Sequence, residues 1–197
     1  EYPGIQVRIH IGDQEEVFQG LRTGMTELAL TFDLDISEHY DAISMAELPP
    51  HAIVPVSHRL ADREEVSLSE LIGEPFVLMD LPHTRQYFLS VFYSQHLEPR
   101  VRYRSTSFEA VRALVGNGLG YALLNLEPRH STTYDGSQVV SLKLKESLRP
   151  LKIVMVSLRR TARRRIARTF QDFARGFLKT WREDQYGIVG RRSGHQS

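Results

Sequence analysis

The chain has 197 residues, enough for one large domain or two small lobes that each bury a modest core. It is 41% hydrophobic and 25% charged, an ordinary globular composition that excludes disorder over most of its length. Lys and Arg number 25 against 24 Asp and Glu, so the charge of +1 does not indicate a surface that binds nucleic acid or anionic membrane throughout. The absence of Cys excludes a disulfide framework, a thiolate zinc site and a cysteine nucleophile. No apolar run approaches the roughly 18 residues that a membrane-spanning helix needs.

The first thirty residues are predicted to form a strand, a helix and a second strand. Apolar and polar residues alternate over residues 5–11, the period of a half-buried strand. Asp13 is a good N-cap for a helix that runs to about Thr23, and Glu16 completes a capping box. The short apolar run at residues 28–30 is typical of a strand covered on both faces. These elements predict one βαβ unit.

Strand and helix patterns continue to alternate along the rest of the chain. Strands are predicted from about residue 43 and at 51–56, 76–79, 100–104, 121–124, 139–144 and 151–158. Helices are predicted at 67–72, after 82–85 with Phe88, Leu89, Phe92 and Tyr93 on one face, at 107–115 and at 161–181. The last helix carries an apolar stripe, predicted to pack in the core, that consists of Ile166, Phe170, Phe173, Phe177 and Trp181. This alternation predicts an α/β protein with mostly parallel sheets.

Several short motifs occur in an order that points to a known family. Residues 2–4 read YPG, and residues 24–30, which end the predicted βαβ unit, read GMTELAL. An HRLA turn occupies residues 58–61, Pro75-Phe76 follows a short helix, and residues 107–124 read SFEAVRALVGNGLGYALL. Together, from Glu1 to about Trp181, they resemble the effector-binding domain of LysR-type transcription regulators, which usually has HPLA at the turn.

The resemblance implies a fold of two Rossmann-like α/β lobes joined by two crossover strands, as in type 2 periplasmic binding proteins. We place the crossings near Ile53 and Ile153. Lobe I would comprise residues 1–52 with 153–181, lobe II residues 53–152, and residues 182–197 a disordered tail, since the tail lacks periodicity. The family's domain normally begins with one more strand and helix, preceded by a winged helix-turn-helix. This sequence contains neither, so the pocket residues named below are an incomplete set.

Ligands of open α/β sheets collect beyond the carboxyl ends of strands, where helix N-termini favour anions. The residues expected to bind the effector on this basis are Asp13, Thr31, Phe32, Arg85, Gln86, Tyr87, Thr106, Ser107 and Asn125. Arg85 is able to grip a carboxylate through two hydrogen bonds, or else it is a solvated first-turn residue. Asp13 is foremost a helix cap and repels anions if it faces the cleft. Asp13 and Arg85 therefore give opposite predictions for the ligand's charge.

Other chemistry finds no support in the sequence. Residues 116–120 read GNGLG, but they follow a helix and precede a strand, the reverse of a phosphate-binding loop, so we interpret them as a turn. The eight His residues show no HExxH spacing and no GxSxG elbow is present, so we expect no metal, no cofactor and no catalytic residue. The arginines between residues 159 and 168 are interpreted as the solvated side of the last helix instead of a nucleic-acid face.

The first hypothesis is therefore an effector-sensing domain of a DNA-binding transcription regulator, which holds a small metabolite in a cleft between the lobes. Such a protein is expected to be cytoplasmic, to associate as a dimer or tetramer, to avoid membranes, and to contact DNA only through a helix-turn-helix domain outside this sequence. The second hypothesis is a solute-binding protein of a transport system with the same fold. The third is an enzyme on an α/β scaffold.

Overall fold

The computed structural model describes residues 6–128, 130–159 and 165–187 of the chain. The helices are α1 (Gln14–Arg22), α2 (Leu68–Leu71), α3 (Pro82–Tyr93), α4 (Phe108–Gly116) and α5 (Arg165–Gly187). The strands are β1 (Ala29–Phe32), β2 (Tyr40–Leu48), β3 (His51–Pro55), β4 (Glu65–Val66), β5 (Phe76–Met79), β6 (Val101–Ser105), β7 (Ala122–Leu124), β8 (Val139–Leu144) and β9 (Leu151–Leu158). Strands β5, β8 and β9 have the predicted bounds, whereas the two-residue β4 was not predicted.

The chain divides into a terminal unit, Glu1–Glu47 with Lys152–Ser197, and a central unit, Leu48–Leu151. The first crossing falls earlier than the position predicted near Ile53, because β3 already pairs with strands of the central unit from its first residue. The second crossing, after Leu151, lies close to the predicted one. Helix α5 continues to Gly187, so residues 182–187 are helical and not part of a disordered tail, and residues 188–197 lie outside the described part.

The terminal unit is built on a sheet with strand order β1-β9-β2. Helix α1 begins with the predicted capping box, in which the Asp13 carboxylate accepts from the Glu16 amide and the Glu16 carboxylate accepts from the Asp13 amide, both at 2.9 Å. Phe18 of this helix stacks on Tyr40 of β2 with ring centroids 4.7 Å apart. Helix α1 is thereby fixed to one side of the sheet.

The prediction of a strand at residues 5–11 is wrong for the described residues 6–11. They form no strand, and Val7, Ile9 and Ile11 are 59%, 79% and 96% exposed. A strand needs a neighbour to satisfy its backbone groups, and no strand among the described residues pairs with this segment. The predicted βαβ unit is therefore also wrong, since β1 pairs antiparallel with β9, and Leu30 in β1 is 48% exposed where burial on both faces was expected.

The apolar stripe on α5 packs only in part. Ala174 is buried in a cluster with Met45 and Met155, and Phe170 packs against that cluster. Three other members of the stripe are 54–59% exposed, namely Ile166, Phe173 and Phe177. The face that contacts the core is therefore rotated from the predicted one toward the small residues of the helix. The side chain of Trp181 and residues 161–164 lie outside the described part.

The central unit combines parallel and antiparallel pairings, so its sheet is mixed and not the mostly parallel one predicted. Four strands lie in the order β4-β8-β3-β7, and β5 pairs with β6 in parallel. The amide of Val77 in β5 donates to the carbonyl of Tyr121 beside β7 at 2.8 Å, and Phe76 bridges Tyr121 in the parallel sense, which joins the two sets. Strand β3 is antiparallel to both its neighbours, β7 and β8.

Aromatic side chains fill the core of the central unit. Phe76, Phe92 and Tyr121 are fully buried and contact one another, with the Phe76 ring 5.1 Å from that of Phe92 and 5.2 Å from that of Tyr121. Tyr93 was predicted on the same face of α3, but it is 56% exposed. The buried face of α3 instead includes Tyr87.

The turn between α4 and β7 has the predicted conformation. Gly118 and Gly120 adopt positive φ angles of 78° and 148°. A Cβ atom at Gly120 would lie 2.2 Å from the carbonyl oxygen of Pro75. Glycine is therefore required here by the close approach of two backbones and not by a phosphate group.

A buried arginine ties α4 to the following loop. Arg112 is 4% exposed and pairs with Glu109 at 2.8 Å. Its guanidinium also donates to the carbonyl oxygens of His130 at 2.9 Å and Thr132 at 3.4 Å. A charge this deeply buried is tolerated because its donors have partners.

We expect Arg112→Met to lower the free energy of unfolding by about 3 kcal/mol, because it leaves the Glu109 carboxylate without its cation and two loop carbonyls without their donor. Urea denaturation followed by circular dichroism measures the change. The control is Arg102→Met on β6, an exposed arginine whose replacement should change stability by less than about 0.5 kcal/mol. Equal losses in both variants would contradict the structural role assigned to Arg112.

Candidate functional site

Three parallel strands of the central unit end at one edge, which we call the carboxyl edge. Met79 at the end of β5 lies opposite Ser105 at the end of β6, and the Asp80 amide donates to the Ser105 carbonyl at 2.8 Å. Helices α3 and α4 begin just after β5 and β6, and Asn125 follows β7. The fold therefore brings six predicted residues to one edge, namely Arg85, Gln86, Tyr87, Thr106, Ser107 and Asn125.

Tyr87 and Asn125 are the buried members of this group, with 6% and 4% exposure. The Asn125 side-chain amide donates to the carbonyl of Leu48 at 2.8 Å and to the Tyr87 hydroxyl at 3.1 Å. The Tyr87 hydroxyl in turn donates to the carbonyl of Arg149 at 2.8 Å. These polar atoms are thus engaged within the central unit.

Arg85 and Arg104 share one carboxylate at the carboxyl edge. The Arg85 Nε donates to the Asp80 carboxylate, and a guanidinium nitrogen of Arg104 lies 3.8 Å from the same oxygen. The arginine side chains are about half exposed, whereas that of Asp80 is 19% exposed. Two cations on one anion leave an excess of positive charge that faces solvent. Gln86 is exposed beside them.

Ser107 is the N-cap of α4, since its hydroxyl accepts from the Ala110 amide at 3.3 Å. Its own amide donates to the Ser105 hydroxyl at 3.1 Å. Ser107 and Thr106 are both exposed. Capping accounts for Ser107, and the start of α4 adds the positive end of a helix dipole to the carboxyl edge.

The other three predicted residues belong to the terminal unit. Asp13 is exposed and holds the capping box of α1. Thr31 and Phe32 are half-buried at the end of β1, where they pair with Val154 and Ile153 of β9. The structure therefore separates the nine predicted residues into two sets, one in each unit.

His51 is a polar residue of the carboxyl edge that was predicted only as part of a strand. It starts β3, opposite Leu124 at the end of β7, and is 8% exposed. Its ring donates to the carbonyl of Pro49, while Nε2 has no hydrogen-bond partner among the described residues. Burial lowers the pKa of His51, although the nearby Glu127 carboxylate opposes that effect. An imidazole at the head of an otherwise apolar strand was the available signal.

Side chains that could bind a metal ion are not grouped in the described part of the chain. Across residues 6–128, 130–159 and 165–187, no three His, Asp or Glu side chains gather as they would around a metal ion. In the same ranges no helix combines the length and apolar character needed to cross a membrane. The carboxyl edge offers hydrogen-bond donors and excess positive charge, which suits the binding of a small polar molecule.

Two α/β units, between which the chain passes twice, are the architecture of two-lobed ligand-binding domains. Residues 1–179 match the model of the LysR substrate binding domain, and the chain belongs to this family. The resemblance seen in the sequence is confirmed, and so is the type 2 periplasmic-binding-protein-like α/β fold that it implied.

Named relatives are transcription regulators. The chain is 26% identical over 131 residues to the HTH-type transcriptional activator CmpR of Synechocystis, a match that covers 64% of this chain and 42% of CmpR. The crystal structure of HinK, a LysR family transcriptional regulator from Pseudomonas aeruginosa, superposes with a TM-score of 0.87 at 36% identity, covering 90% of this chain and 61% of HinK. The chain thus spans about two-fifths of the curated relative's length, and the transport hypothesis is not favoured.

One more distant structure shares the fold and carries a ligand. The BenM effector binding domain with its effector benzoate has a TM-score of 0.71 at 13% identity, with all of this chain and 86% of that one covered. At that identity the similarity shows the fold alone. The family is one of transcription regulators, which generally are not enzymes.

We expect the stability of the protein to fall as the pH drops below about 6.5, in part because of His51. The buried imidazole stays neutral in the folded state, whereas the same residue in the unfolded chain takes up a proton. The free energy of unfolding therefore falls by up to about 1.4 kcal/mol for each pH unit. This loss ends where the pH reaches the lowered pKa of His51 in the folded state. His51→Leu should flatten the profile of unfolding free energy between pH 7.5 and 5.0, measured by urea titration. The exposed His39, changed to Gln, should leave the slope unaltered. Parallel profiles for wild type and His51→Leu would contradict the assignment.

Proposed function

We propose that this chain is the effector-sensing domain of a LysR-type DNA-binding transcription regulator and that it binds a small organic molecule to modulate transcription. The observation that carries the proposal is the family match over residues 1–179, together with a TM-score of 0.87 to a LysR family regulator at 36% identity. BenM, which shares the fold, holds benzoate as its effector. The chain therefore has the architecture in which ligand sensing by such regulators takes place.

The charge of the carboxyl edge supports an acidic ligand. Around Asp80, Arg85 and Arg104 outnumber the one carboxylate, and α4 begins at the same edge, so positive potential collects near these two arginines. The Glu127 carboxylate acts near His51. Asp13, the residue that argued against an anionic ligand, is engaged in the capping box of α1. These facts favour a small organic acid as the ligand. One of the two arginines would leave Asp80 and donate its hydrogen bonds to the carboxylate of the acid.

Regulation of transcription belongs to the whole protein. We propose that DNA is contacted through a helix-turn-helix domain outside this sequence, because the relatives carry HTH-type names and extend well beyond the match. We propose self-association as a dimer or tetramer and a cytoplasmic location, where the DNA lies. Binding and not catalysis is the role assigned to this chain. A ligand shifts such a switch only through a difference in affinity between two states, typically about 1–3 kcal/mol.

A thermal-shift screen of small organic acids, with benzoate as a defined member, tests the function. We expect at least one acid to raise the melting temperature, because a ligand at 100 times its Kd stabilises the folded state by about 2.7 kcal/mol. The amide of each active acid is the matched control, since it keeps the shape and removes the charge. A screen in which neutral amides stabilise the protein as well as the acids do would contradict an acidic effector, and one without any hit would contradict effector binding by this chain.

For an acid found in this way, we expect Arg85→Gln to raise the Kd measured by calorimetry about tenfold, because a charge-assisted hydrogen bond to the carboxylate is lost. The matched control is Arg100→Gln, the same change of charge just before β6, at the opposite end of that strand from the carboxyl edge. An equal effect of the two substitutions would indicate a general dependence on net charge and would remove Arg85 from the site.

A further inference from the structure

We propose that Tyr87 and Asn125 form a latch that holds both points where the chain passes between its two units. They were predicted as ligand contacts, and the structure gives them a second role as positioning residues. The Asn125 amide donates to Leu48 and to Tyr87, and the Tyr87 hydroxyl donates to Arg149. The two residues and these three hydrogen bonds are called the crossover latch below.

The two carbonyl groups that the latch binds lie at the two ends of the central unit. Leu48 is the first residue of the central unit, and Arg149 lies two positions before its last residue, Leu151. Tyr87 lies in α3 and Asn125 just after β7, 62 and 77 residues along the chain from the carbonyls that they bind. One pair of side chains therefore holds the entry and the exit of the central unit together.

Proline makes each crossover depend on this contact. Pro49 and Pro50 follow Leu48, and Pro150 follows Arg149. Proline has no amide hydrogen, so neither segment is able to form a regular run of backbone hydrogen bonds at these residues. The side-chain donors of the crossover latch bind the carbonyl groups next to these prolines, where backbone support is weakest.

Burial makes the latch costly to open without a replacement partner. Tyr87 and Asn125 are both more than nine-tenths buried, and the Tyr87 ring packs edge-on against Phe88 with centroids 5.2 Å apart. The two hydrogen bonds of Asn125 are buried, whereas the one from Tyr87 to the Arg149 carbonyl is part-buried. Breaking a buried hydrogen bond without a new partner leaves a desolvated polar group, which costs free energy. A ligand that took over the Tyr87 hydroxyl would release the Arg149 carbonyl, and this consequence rests on the proposed function whereas the latch itself does not.

Hydrogen–deuterium exchange of the full chain, with no ligand added, tests the latch. In Tyr87→Phe we expect peptides that cover Arg149 and Leu151 to exchange about ten times faster, with a smaller change at Leu48 and His51. In Asn125→Ala both segments should exchange faster by at least that factor, since this amide binds Leu48 and also orients Tyr87. The control is Tyr93→Phe on the same helix, where the side chain is 56% exposed and wild-type exchange is expected.

Two results would overturn the proposal. Unchanged exchange at both crossovers in Tyr87→Phe would show that the hydroxyl does not hold the Arg149 segment. A uniform increase over β5, β7 and α4 in Tyr87→Phe would show a general loss of core packing. Because Tyr87→Phe keeps the aromatic ring in place, the test stands even if Asn125→Ala does not fold. Neither result bears on whether the chain binds an organic acid.

Discussion

The antiparallel insertion of β3 between β7 and β8 is the constraint on which the central unit depends. All five residues of β3 are buried, and His51 at its start lies opposite Leu124 at the end of β7. Because β3 runs against its neighbours, its first residue lies at the edge where β7 and β8 end. The first crossover therefore lies at the carboxyl edge, beside the helices that begin there.

The position of the first crossover at this edge places backbone polar groups in a buried environment, where each needs a hydrogen-bond partner. The Leu48 carbonyl finds its partner in Asn125 through a buried hydrogen bond, and the cost of leaving such a group unpaired is about 1–3 kcal/mol. The Arg149 carbonyl accepts from Tyr87 through a part-buried hydrogen bond. His51 represents the opposite case, since its Nε2 has no hydrogen-bond partner within the part of the chain that the structure describes. The same edge thus combines backbone carbonyls that accept hydrogen bonds from side chains with exposed charges that remain available to a ligand.

The exposed charges follow from the way helices start at this edge. Asp80 leaves β5 and Arg104 lies near the end of β6, while Arg85 is in the first turn of α3, so three charges from separate segments meet. An isolated exposed ion pair contributes little to stability, typically about 0–1 kcal/mol. The cluster is therefore a better candidate for binding a ligand than for stabilising the fold. If one arginine leaves Asp80 and pairs with a ligand carboxylate, the protein loses little stability.

Local patterns determined much of this protein. Apolar runs set the bounds of β5, β8 and β9, capping residues set the starts of α1 and α2, and the order of short motifs identified the family. Each of these depends on interactions within a few residues or on a buried run, which the sequence displays directly. The predicted grouping of loops after β5, β6 and β7 also followed, because parallel strands end at one edge.

Only the tertiary structure decided the features that depend on residues distant in sequence. Residues 6–11 have a strand's alternation but pair with no described strand, and the buried face of α5 depends on Met45 and Met155, which lie far away in sequence. The partner of Arg85 is a local carboxylate, whereas the partners of Tyr87 and Asn125 are carbonyl groups 62 and 77 residues away. The sequence determines which hydrogen-bonding groups a side chain carries. Packing determines the partner, because it decides which distant backbone groups lie beside that side chain.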